Sequence, residues 1–419
     1  MTHPPAAGEA PIDLLDFTRP AFRRDPYPTY RTLREHTPIA RIDRGPIRFS
    51  ILTRHADVVA VLRDPRMSVD RPFQPKPIAG QDDVDPATLH PLARALRALS
   101  RVMLFRDPPD HTRLRGLVNK AFTPRMVESL RPRIQGLVDA LLARPLADGG
   151  CDLVHDFAEP LPILVIAELL GLPASDRADL KRWSDQLAVM LDGSIAAQHI
   201  GGAVQSAVAV IEYLRVHLEA KRAHPQDDLI TAMLAAQERD EHLTDDEILG
   251  TALIVMGAGH ETTTNLIGNG ALALLRHPAE RARLRAQPGL IETAVDEFLR
   301  FDSPVQATSR VPTQDVELFG ERFEKGREIA LLLGAANHDP AVFPAPERLD
   351  LARRDNRHVS FGFGIHFCLG AVLARLEGER AIGSLVARAE KLALAVPDET
   401  LAWRPGWLLR GLTSLPVRF

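Results

Sequence analysis

One cysteine of this chain stands in a setting that suits a metal ligand. Residues 361–370 read FGFGIHFCLG, so that Cys368 is surrounded by three glycines and three phenylalanines, and a helical pattern runs from Leu369 to Arg388. Unpaired N–H groups and the helix dipole favour the thiolate of a cysteine just before a helix, and glycines let a backbone approach a flat ligand closely. The stretch predicts a thiolate offered to a metal. The alternative is a small buried hydrophobe, the commoner role of a lone cysteine.

A second pattern places an acid and an alcohol in the middle of a long helix. Residues 244–247 (TDDE) form a capping box, and the helical pattern continues to about Arg276. Roughly 30 residues would extend on the order of 45 Å, enough to cross the molecule. In the apolar middle, the Thr262 hydroxyl can bond the Ala258 carbonyl and loosen the helix beside Glu261. The pattern predicts a groove that holds dioxygen and relays protons. The alternative is a glycine-weakened helix whose threonine faces solvent.

Two further pairs of residues each share one helix face. His111 and Arg115 follow two prolines and are four residues apart, which suits the binding of a carboxylate pair, although this spacing more often marks a solvated helix face. Glu297 and Arg300 are three residues apart, a spacing that most often marks a surface ion pair of little energetic value. Neither spacing alone decides between a structural and a functional role.

The remaining pattern predicts a mainly helical fold with small β-sheets. Two short β-type runs flank a turn and predict a hairpin, a helix follows, and a long Pro-rich irregular stretch comes next; these lie at 39–42, 47–52, 55–63 and 65–91. Helical periodicity then dominates residues 124–191, and two helices with a loop near 192–194 are expected between 171 and 224. A strand should leave the helix near Ser303 and run to Arg310.

Composition excludes several classes of protein. The chain has 419 residues, 45% hydrophobic and 25% charged, with a formal net charge of -4 and no long run of one sign, so no nucleic-acid surface is expected. Two cysteines, Cys151 and Cys368, fit a reducing cytoplasm, with Cys151 interpreted as structural in a turn-like stretch. Residues 1–20 lack a signal peptide or anchor, and the apolar run 248–259 is too short to span a membrane. We expect a cytoplasmic protein with no membrane partner.

Four motifs together resemble one known family. Residues 361–370 match, at every fixed position, the haem-binding loop F-G-x-G-x-H-x-C-x-G of the cytochrome P450 family. Residues 258–263 resemble its A-G-x-[DE]-T-T segment, 107–115 its D-P-P-x-H-x-x-x-R segment, and 297–300 its E-x-x-R motif. The resemblance covers roughly residues 20–419, as a single haem domain after a loosely packed segment 1–19. It implies the mainly α fold of that family, with a long helix across the haem, the thiolate loop before the penultimate helical region, and a terminal hairpin over 410–417.

The same resemblance assigns roles to individual residues. Cys368 would be the axial iron ligand of haem b, and Glu261 and Thr262 would relay protons to bound dioxygen. The haem propionates would be bound by His111, Arg115, Arg310 and His366. Further haem contacts are expected from Ala258, Phe361, Gly362, Met103 and Leu104. The cysteine loop would be supported by Glu297, Arg300 and Arg348, with Leu349 where many relatives have phenylalanine. The substrate pocket would be lined by Val305, Gln306, Ala307 and Thr308.

Function follows from the resemblance as an expectation. The chain would be a monooxygenase that inserts one atom of O2 into a bulky apolar small molecule (a steroid, terpenoid, macrolide or fatty acid), under pocket-covering stretches near 68–104 and 171–202. Flavin and iron–sulfur motifs are absent from the sequence, so a separate ferredoxin and its reductase are expected, docking on a basic patch of Arg113, Lys120, Arg353, Arg354 and Arg357. The alternatives are a peroxide-using or rearranging thiolate–haem enzyme and a non-catalytic ligand- or carrier-binding relative.

Overall fold

The computed structural model describes residues 19–44, 47–70, 76, 84–85, 88–191, 200–237 and 243–419. The helices are α1 (Pro20–Arg24), α2 (Tyr27–His36), α3 (His55–Arg63), α4 (Pro91–Leu99), α5 (Asp110–Ala121), α6 (Pro124–Ser129), α7 (Arg131–Asp148), α8 (Pro160–Leu170), α9 (Arg177–Leu191), α10 (Ile200–Ala223), α11 (Leu229–Gln237), α12 (Asp245–Arg276), α13 (Pro278–Ala286), α14 (Ile291–Phe301), α15 (Leu333–Ala336) and α16 (Ala371–Arg388). The strands are β1 (Ile39–Arg44), β2 (Ile47–Leu52), β3 (Met67–Ser68), β4 (Gly150–Asp152), β5 (Ala307–Pro312), β6 (Val316–Leu318), β7 (Glu321–Phe323), β8 (Glu328–Leu332), β9 (Ala393–Leu394) and β10 (Pro416–Arg418). The predicted mainly helical fold with small sheets is confirmed.

Helix α12 is the centre of the fold, and its start is fixed by the predicted capping box. The Thr244 hydroxyl accepts a hydrogen bond from the Glu247 N–H at 3.3 Å, and the Glu247 carboxylate accepts one from the Thr244 N–H at 2.8 Å. The helix has 32 residues and is therefore about 48 Å long. Because it is buried along most of its length, α8, α9, α10, α14 and α16 can all pack against it.

The largest sheet has the strand order β1-β2-β8-β5-β3. The predicted hairpin is its edge, with Ile39 opposite Leu52 in antiparallel register, and β8 pairs with β2 in parallel. Strand β5 then lies between β8 and β3, where Arg310 faces Ile329 in the register. This pairing places the predicted extended segment after α14 inside the sheet.

The end of the chain differs from the predicted hairpin over 410–417. Strand β10 pairs instead with β4 and β9, which places Val417 opposite Cys151, and Leu412 forms an isolated bridge with Trp403. Cys151 therefore lies in a strand and not in a turn. Burial raises the pKa of its thiol to about 12, which fits the structural role predicted for it.

The pocket-covering stretch that precedes α5 is tied to the helices behind it by ion pairs. Arg94 of α4 forms a two-point pair with Glu212 of α10, at 2.8 Å for each contact, and Arg97 pairs with Asp246 in the first turn of α12. The predicted loop at 192–194 and most of the irregular stretch 71–87 lie outside the described residues. The division at residue 19 stays a prediction, since residues 1–18 also lie outside them.

Among the helices within the described ranges, none combines the length and the apolar character that a membrane span requires.

Candidate active site

The cysteine loop is a tight turn that ends at the start of α16. The Cys368 N–H donates to the Phe361 carbonyl at 2.9 Å, so the loop closes on itself. Gly364 has a positive φ of 74°, and a Cβ there would lie 2.6 Å from the Leu62 carbonyl oxygen. A side chain at this position is excluded by both conformation and space. The backbone therefore approaches α3 closely.

The state of the Cys368 thiol differs from the prediction based on the helix terminus alone. Burial is the largest influence and raises the pKa of Cys368, whereas the Gly370 N–H, Arg115 and Arg375 lower it less. Desolvation therefore outweighs the dipole, because the charged form loses more hydration than the backbone replaces. A cation bound at the sulfur reverses this balance, since a metal-coordinated thiol is deprotonated.

Four predicted propionate ligands meet beside the loop. His111 and Arg115 lie on α5, Arg310 on β5 and His366 in the turn that precedes Cys368. The rings of His111 and His366 are 4.1 Å apart. Burial, and then the positive groups His111, Arg310 and Arg115, lower the pKa of His366 to about 3. Its Nε2 atom is buried without a hydrogen-bond partner.

This group of positive charges fits an anionic ligand. A buried ring nitrogen without a partner costs free energy until a ligand satisfies it, and a bound anion would balance the charge that Arg115 and Arg310 place beside the two histidines. Two carboxylates, such as the propionates of a haem, would supply both requirements beside a cysteine sulfur. The residues present therefore fit the group that the motif implies.

The predicted non-polar haem contacts lie on the elements around the loop. Met103 is buried and Leu104 is 38% exposed, in a short turn that packs against α5 and α12. The Arg375 guanidinium lies 4.7 Å from the centre of the Phe361 ring and stabilises its position through a cation–π contact. Gly362 follows with a φ of 70°, a conformation that favours glycine.

The acid–alcohol turn of α12 has the predicted geometry. The Thr262 hydroxyl donates to the Ala258 carbonyl at 2.8 Å. Ala258, Gly259, Glu261 and Thr262 are all partly exposed on a helix that is otherwise largely buried, so this turn borders open space. The Glu261 carboxylate lies 3.8 Å from the Arg404 guanidinium and its side chain is 13% exposed. An alcohol and a carboxyl group thus lie next to each other on the partly exposed face of this turn.

Glu297 and Arg300 are a buried hub rather than a surface pair. Their side chains have no solvent exposure and meet through two contacts of 2.8 Å. Arg300 also donates to the carbonyls of Asn337, Pro346 and Arg348, at 3.1, 2.8 and 3.2 Å. The pair therefore holds together the chain segments that lead to the cysteine loop.

The third member of this hub is Arg353, which corrects the prediction for Arg348. The Arg353 Nε atom is 3.1 Å from the Glu297 carboxylate, and only 10% of its side chain is exposed. The Arg348 side chain is exposed, and this residue contributes its carbonyl. The reason is a tight turn, closed by the Arg348 N–H on the Ala345 carbonyl at 3.0 Å, that directs the carbonyl inward. Leu349 is buried in the neighbouring core, so its size is accommodated.

Other residues that brace the loop carried little sequence signal. The Asn337 amide donates to the hydroxyls of Ser303 and Ser360 at 2.7 and 2.8 Å, and its oxygen accepts from the Val359 N–H at 2.8 Å. Nothing in the sequence pattern marks Asn337. Arg375, which pairs with Asp296 at 2.7 Å, was detectable, because it lies seven residues or two helical turns after Cys368.

The predicted substrate-lining run is divided by the structure. Val305 and Thr308 are partly exposed and Ala307 is buried. The Gln306 amide donates to the Ser303 carbonyl at 2.7 Å and lies 3.4 Å from the Tyr27 hydroxyl. These contacts direct Gln306 towards α2, and the prediction for its side chain is corrected accordingly.

The predicted basic docking patch is also reduced. Arg353 belongs to the buried hub, Arg113 pairs with Glu247, and Arg357 pairs with Asp355 at 2.9 Å. Lys120 and Arg354 are exposed. Three of the five expected cations thus have carboxylate partners within the chain, which weakens the patch as a docking surface.

Comparisons with known proteins find relatives that match nearly the whole chain. The model of the family "Cytochrome P450" matches residues 196–390. The chain is 44% identical to the vitamin D(3) 25-hydroxylase of Pseudonocardia autotrophica, over 94% of both chains, and 42% identical to the cytochrome P450 monooxygenase PikC of Streptomyces venezuelae, over 95% of this chain and 92% of that one. A crystal structure of P450BioI, in complex with an acyl carrier protein ligated to hexadec-9Z-enoic acid, is similar with a TM-score of 0.87 and 37% identity, over 96% of this chain and 99% of that one.

Proposed function

The chain belongs to the cytochrome P450 family and is a monooxygenase, and from this premise we propose that it inserts one atom of O2 into a bulky apolar small molecule. The observation that carries the proposal is the convergence of Cys368 with two arginines, Arg115 and Arg310, and with two histidines, His111 and His366, whose pKa values burial and these arginines lower. A sulfur ligand beside a built anion site is what a thiolate-bound haem requires. A pure binding protein would have no use for the adjacent acid–alcohol pair.

We assign the cofactor as haem b with Cys368 as its axial ligand. When bound, a thiolate-ligated haem supplies the electron density that favours cleavage of the O–O bond. The protein's residues have the remaining tasks. Arg115 and Arg310 neutralise the propionates, and arginine suits this role because its planar fork pairs with a carboxylate at two points. His366, neutral because burial lowers its pKa to about 3, donates a hydrogen bond from a ring N–H.

Proton delivery falls to the turn that contains Glu261 and Thr262. The hydrogen bond to the Ala258 carbonyl orients the Thr262 hydroxyl, so its oxygen lone pairs remain available to accept from water in the adjoining space. The Glu261 carboxylate lies one residue away and provides a titratable group for exchange with solvent. A peroxide-using enzyme can dispense with such a relay, so its presence favours the use of O2.

The substrate class is supported by the relatives. One relative is named a vitamin D(3) hydroxylase, another takes part in a complex with a fatty acyl chain on its carrier. We propose a steroid-like, macrolide or fatty-acid-like molecule, and a ferredoxin with its reductase as the electron donor. The cytoplasmic location stays a prediction.

Turnover in labelled dioxygen tests the function. A ferredoxin, its reductase and NADPH are supplied under 18O2, after vitamin D3, a macrolide and hexadecenoic acid have been screened for a spin-state shift. The account predicts one 18O atom in each hydroxylated product. Product that forms with hydrogen peroxide alone, and that no longer forms from the reductase system once catalase removes free peroxide, would establish the peroxygenase alternative instead.

A further inference from the structure

The guanidinium of Arg404 lies between two carboxylates that come from different elements. One terminal nitrogen is 3.2 Å from Glu159, the residue that precedes α8, and the other is 3.8 Å from Glu261 on α12. The exposed fractions of the three side chains are 21% for Arg404, 6% for Glu159 and 13% for Glu261. Water therefore screens these charges only partly, and their mutual influence exceeds that of a surface pair.

Arg404 is held in place by the chain segment 403–412. Its N–H donates to the Gly411 carbonyl at 2.9 Å, and its Nε donates to the Leu412 carbonyl at 3.4 Å. The neighbouring Trp403 bridges Leu412 in antiparallel register. The position of the guanidinium is thus set by the backbone of this segment, and it does not depend on a flexible surface side chain.

The same segment follows the face of α12 that carries Glu261. Glu261, Asn265 and Asn269 recur every four residues and share that face. Gly411 packs so closely against Asn265 that a Cβ there would overlap the Asn265 amide, and the Asn269 amide donates to the Arg410 carbonyl at 3.0 Å. Three successive turns of the helix are therefore in contact with the segment that presents Arg404.

The second carboxylate has its own cations. Lys181 of α9 lies 2.9 Å from Glu159 and 2.7 Å from Asp185, and His155 lies 3.2 Å from Glu159. Glu159, Asp185 and His260 have ligand atoms within 4.8 Å of one another, but the Lys181 ammonium already supplies the positive charge that a metal ion would bring. Because Glu159 is balanced in this way, the charge of Arg404 remains effective at Glu261.

We infer that Arg404 is a positioning residue for the proposed proton relay: it fixes the Glu261 carboxylate beside Thr262 and favours its ionised form. The inference rests on the relay role proposed for Glu261. Arg404 acts through Glu261 and not on the reacting atoms. Within the described residues, the charged and titratable groups packed around this turn include Arg404 from the terminal segment, Glu159 and His155 beside α8, Lys181 and Asp185 from α9, and His260 on α12 itself.

An infrared titration of the haem-loaded protein tests the inference without turnover. The carboxylate band of Glu261 is identified by its loss in Glu261→Gln, and its protonation midpoint is followed against pH in Arg404→Gln, Arg404→Lys and the exposed control Arg418→Gln. Removing the cation in Arg404→Gln should move the midpoint up by about one pH unit. Arg404→Lys keeps a positive charge, so its midpoint should lie close to that of the parent protein, and Arg418→Gln should leave the midpoint unchanged. Glu159→Gln should move the midpoint down, since it removes a negative neighbour and leaves Arg404 wholly to Glu261.

A midpoint that is the same in Arg404→Gln and the parent protein, or that moves in the same direction in Arg404→Gln and Glu159→Gln, would overturn the inference. If Arg404→Gln fails to fold, the other two variants keep the test decisive. The midpoint should stay near the parent value in Arg404→Lys and move down in Glu159→Gln, and an unchanged midpoint in Glu159→Gln would overturn the inference. In turnover, the pH profile of product formed per NADPH should shift with the infrared midpoint. Because the infrared readout needs neither reductant nor substrate, it can fail while the thiolate–haem assignment stands, and it can succeed while that assignment fails.

Discussion

The carboxylate of Glu297 and the guanidinium of Arg300 meet through two contacts of 2.8 Å in a place that solvent does not reach. Such a buried pair is costly to desolvate, and it persists because further hydrogen bonds satisfy both partners. Here those bonds come from the segments that lead to the cysteine loop, at Asn337, Pro346, Arg348, Asp350 and Arg353. The geometry of the loop thus depends on an ion pair that takes no part in the chemistry.

Neutralising Glu297 should therefore destabilise the protein severely. Glu297→Gln leaves the charge of Arg300 buried and uncompensated, and we expect a loss of about 3–5 kcal/mol in the free energy of unfolding. Denaturant unfolding measures it. Two arginine variants form a matched comparison. Arg353→Gln should lower the free energy of unfolding clearly more than Arg348→Gln. Because the Arg348 side chain is exposed, its replacement should change that free energy by no more than about 0.5 kcal/mol. Equal losses in the two arginine variants would show that the hub has been assigned the wrong third member.

The acid–alcohol turn should control how electrons are used. Thr262→Ala removes the hydroxyl that the Ala258 carbonyl orients, so most of the O2 consumed should be released as peroxide or water. Thr262→Ser keeps the hydroxyl and should retain coupling. Glu261→Gln should slow product formation by about 100-fold, the lower end of the range for general acid–base catalysis. The ratio of product to NADPH and to O2 consumed measures both effects, and full coupling in Thr262→Ala would contradict the relay.

The cationic group beside the loop should determine how firmly haem is retained. Arg310→Gln removes a charged hydrogen-bond donor to a propionate, and we expect haem to dissociate about tenfold faster, in line with the value of one charge-assisted hydrogen bond. Transfer of haem to an excess of apomyoglobin gives the rate. Arg322→Gln, at an exposed ion pair with Asp315, is the control. Equal transfer rates in the two variants would argue against propionate binding at Arg310.

Buried His338 should make stability depend on pH. Burial, followed by Arg300, lowers the pKa of His338 to about 3, and its Nε2 is hydrogen-bonded to the Phe301 carbonyl at 2.9 Å. Below about pH 6.5 His338 is protonated in the unfolded chain but stays neutral in the folded chain, so stability falls as the pH falls. Its share of the loss between pH 7 and pH 5 is about 2 kcal/mol. His338→Gln should remove that share and exposed His36→Gln should not, as measured by denaturant unfolding at both pH values.

Much of this site could be predicted from the sequence, because its chemistry resides in local motifs. The hydrogen bond from Thr262 to Ala258 follows from four-residue spacing, and the start of α12 follows from a capping box. His111 and Arg115 share a face for the same reason, although only the fold brings them to His366, which lies more than 250 residues later. Local spacing specifies which side chains share one face of a helix. It does not specify which side chains of a distant element lie against that face.

The errors have the same physical origin. Arg348 and Arg353 are both arginines in one irregular segment, and a tight turn at Ala345 decides which of them faces inward. Gln306 lies within the predicted strand, yet its amide is taken up by Ser303 and Tyr27. The burial that raises the pKa of the Cys368 thiol is likewise a property of the packed protein, which local spacing does not show. Arg404 gave no signal, because its partner Glu261 is far away in the sequence.

The most direct test of the central claim is the absorption spectrum of the dithionite-reduced, haem-loaded protein before and after carbon monoxide is added. If Cys368 ligates the iron as a thiolate, the Soret band should shift strongly to the red. Cys368→Ala should lose this shift, and Cys151→Ala, which changes the other cysteine, should keep it. A parent protein without the red shift, or a Cys368→Ala variant that retains it, would contradict the assignment of Cys368 and with it the proposed activation of O2.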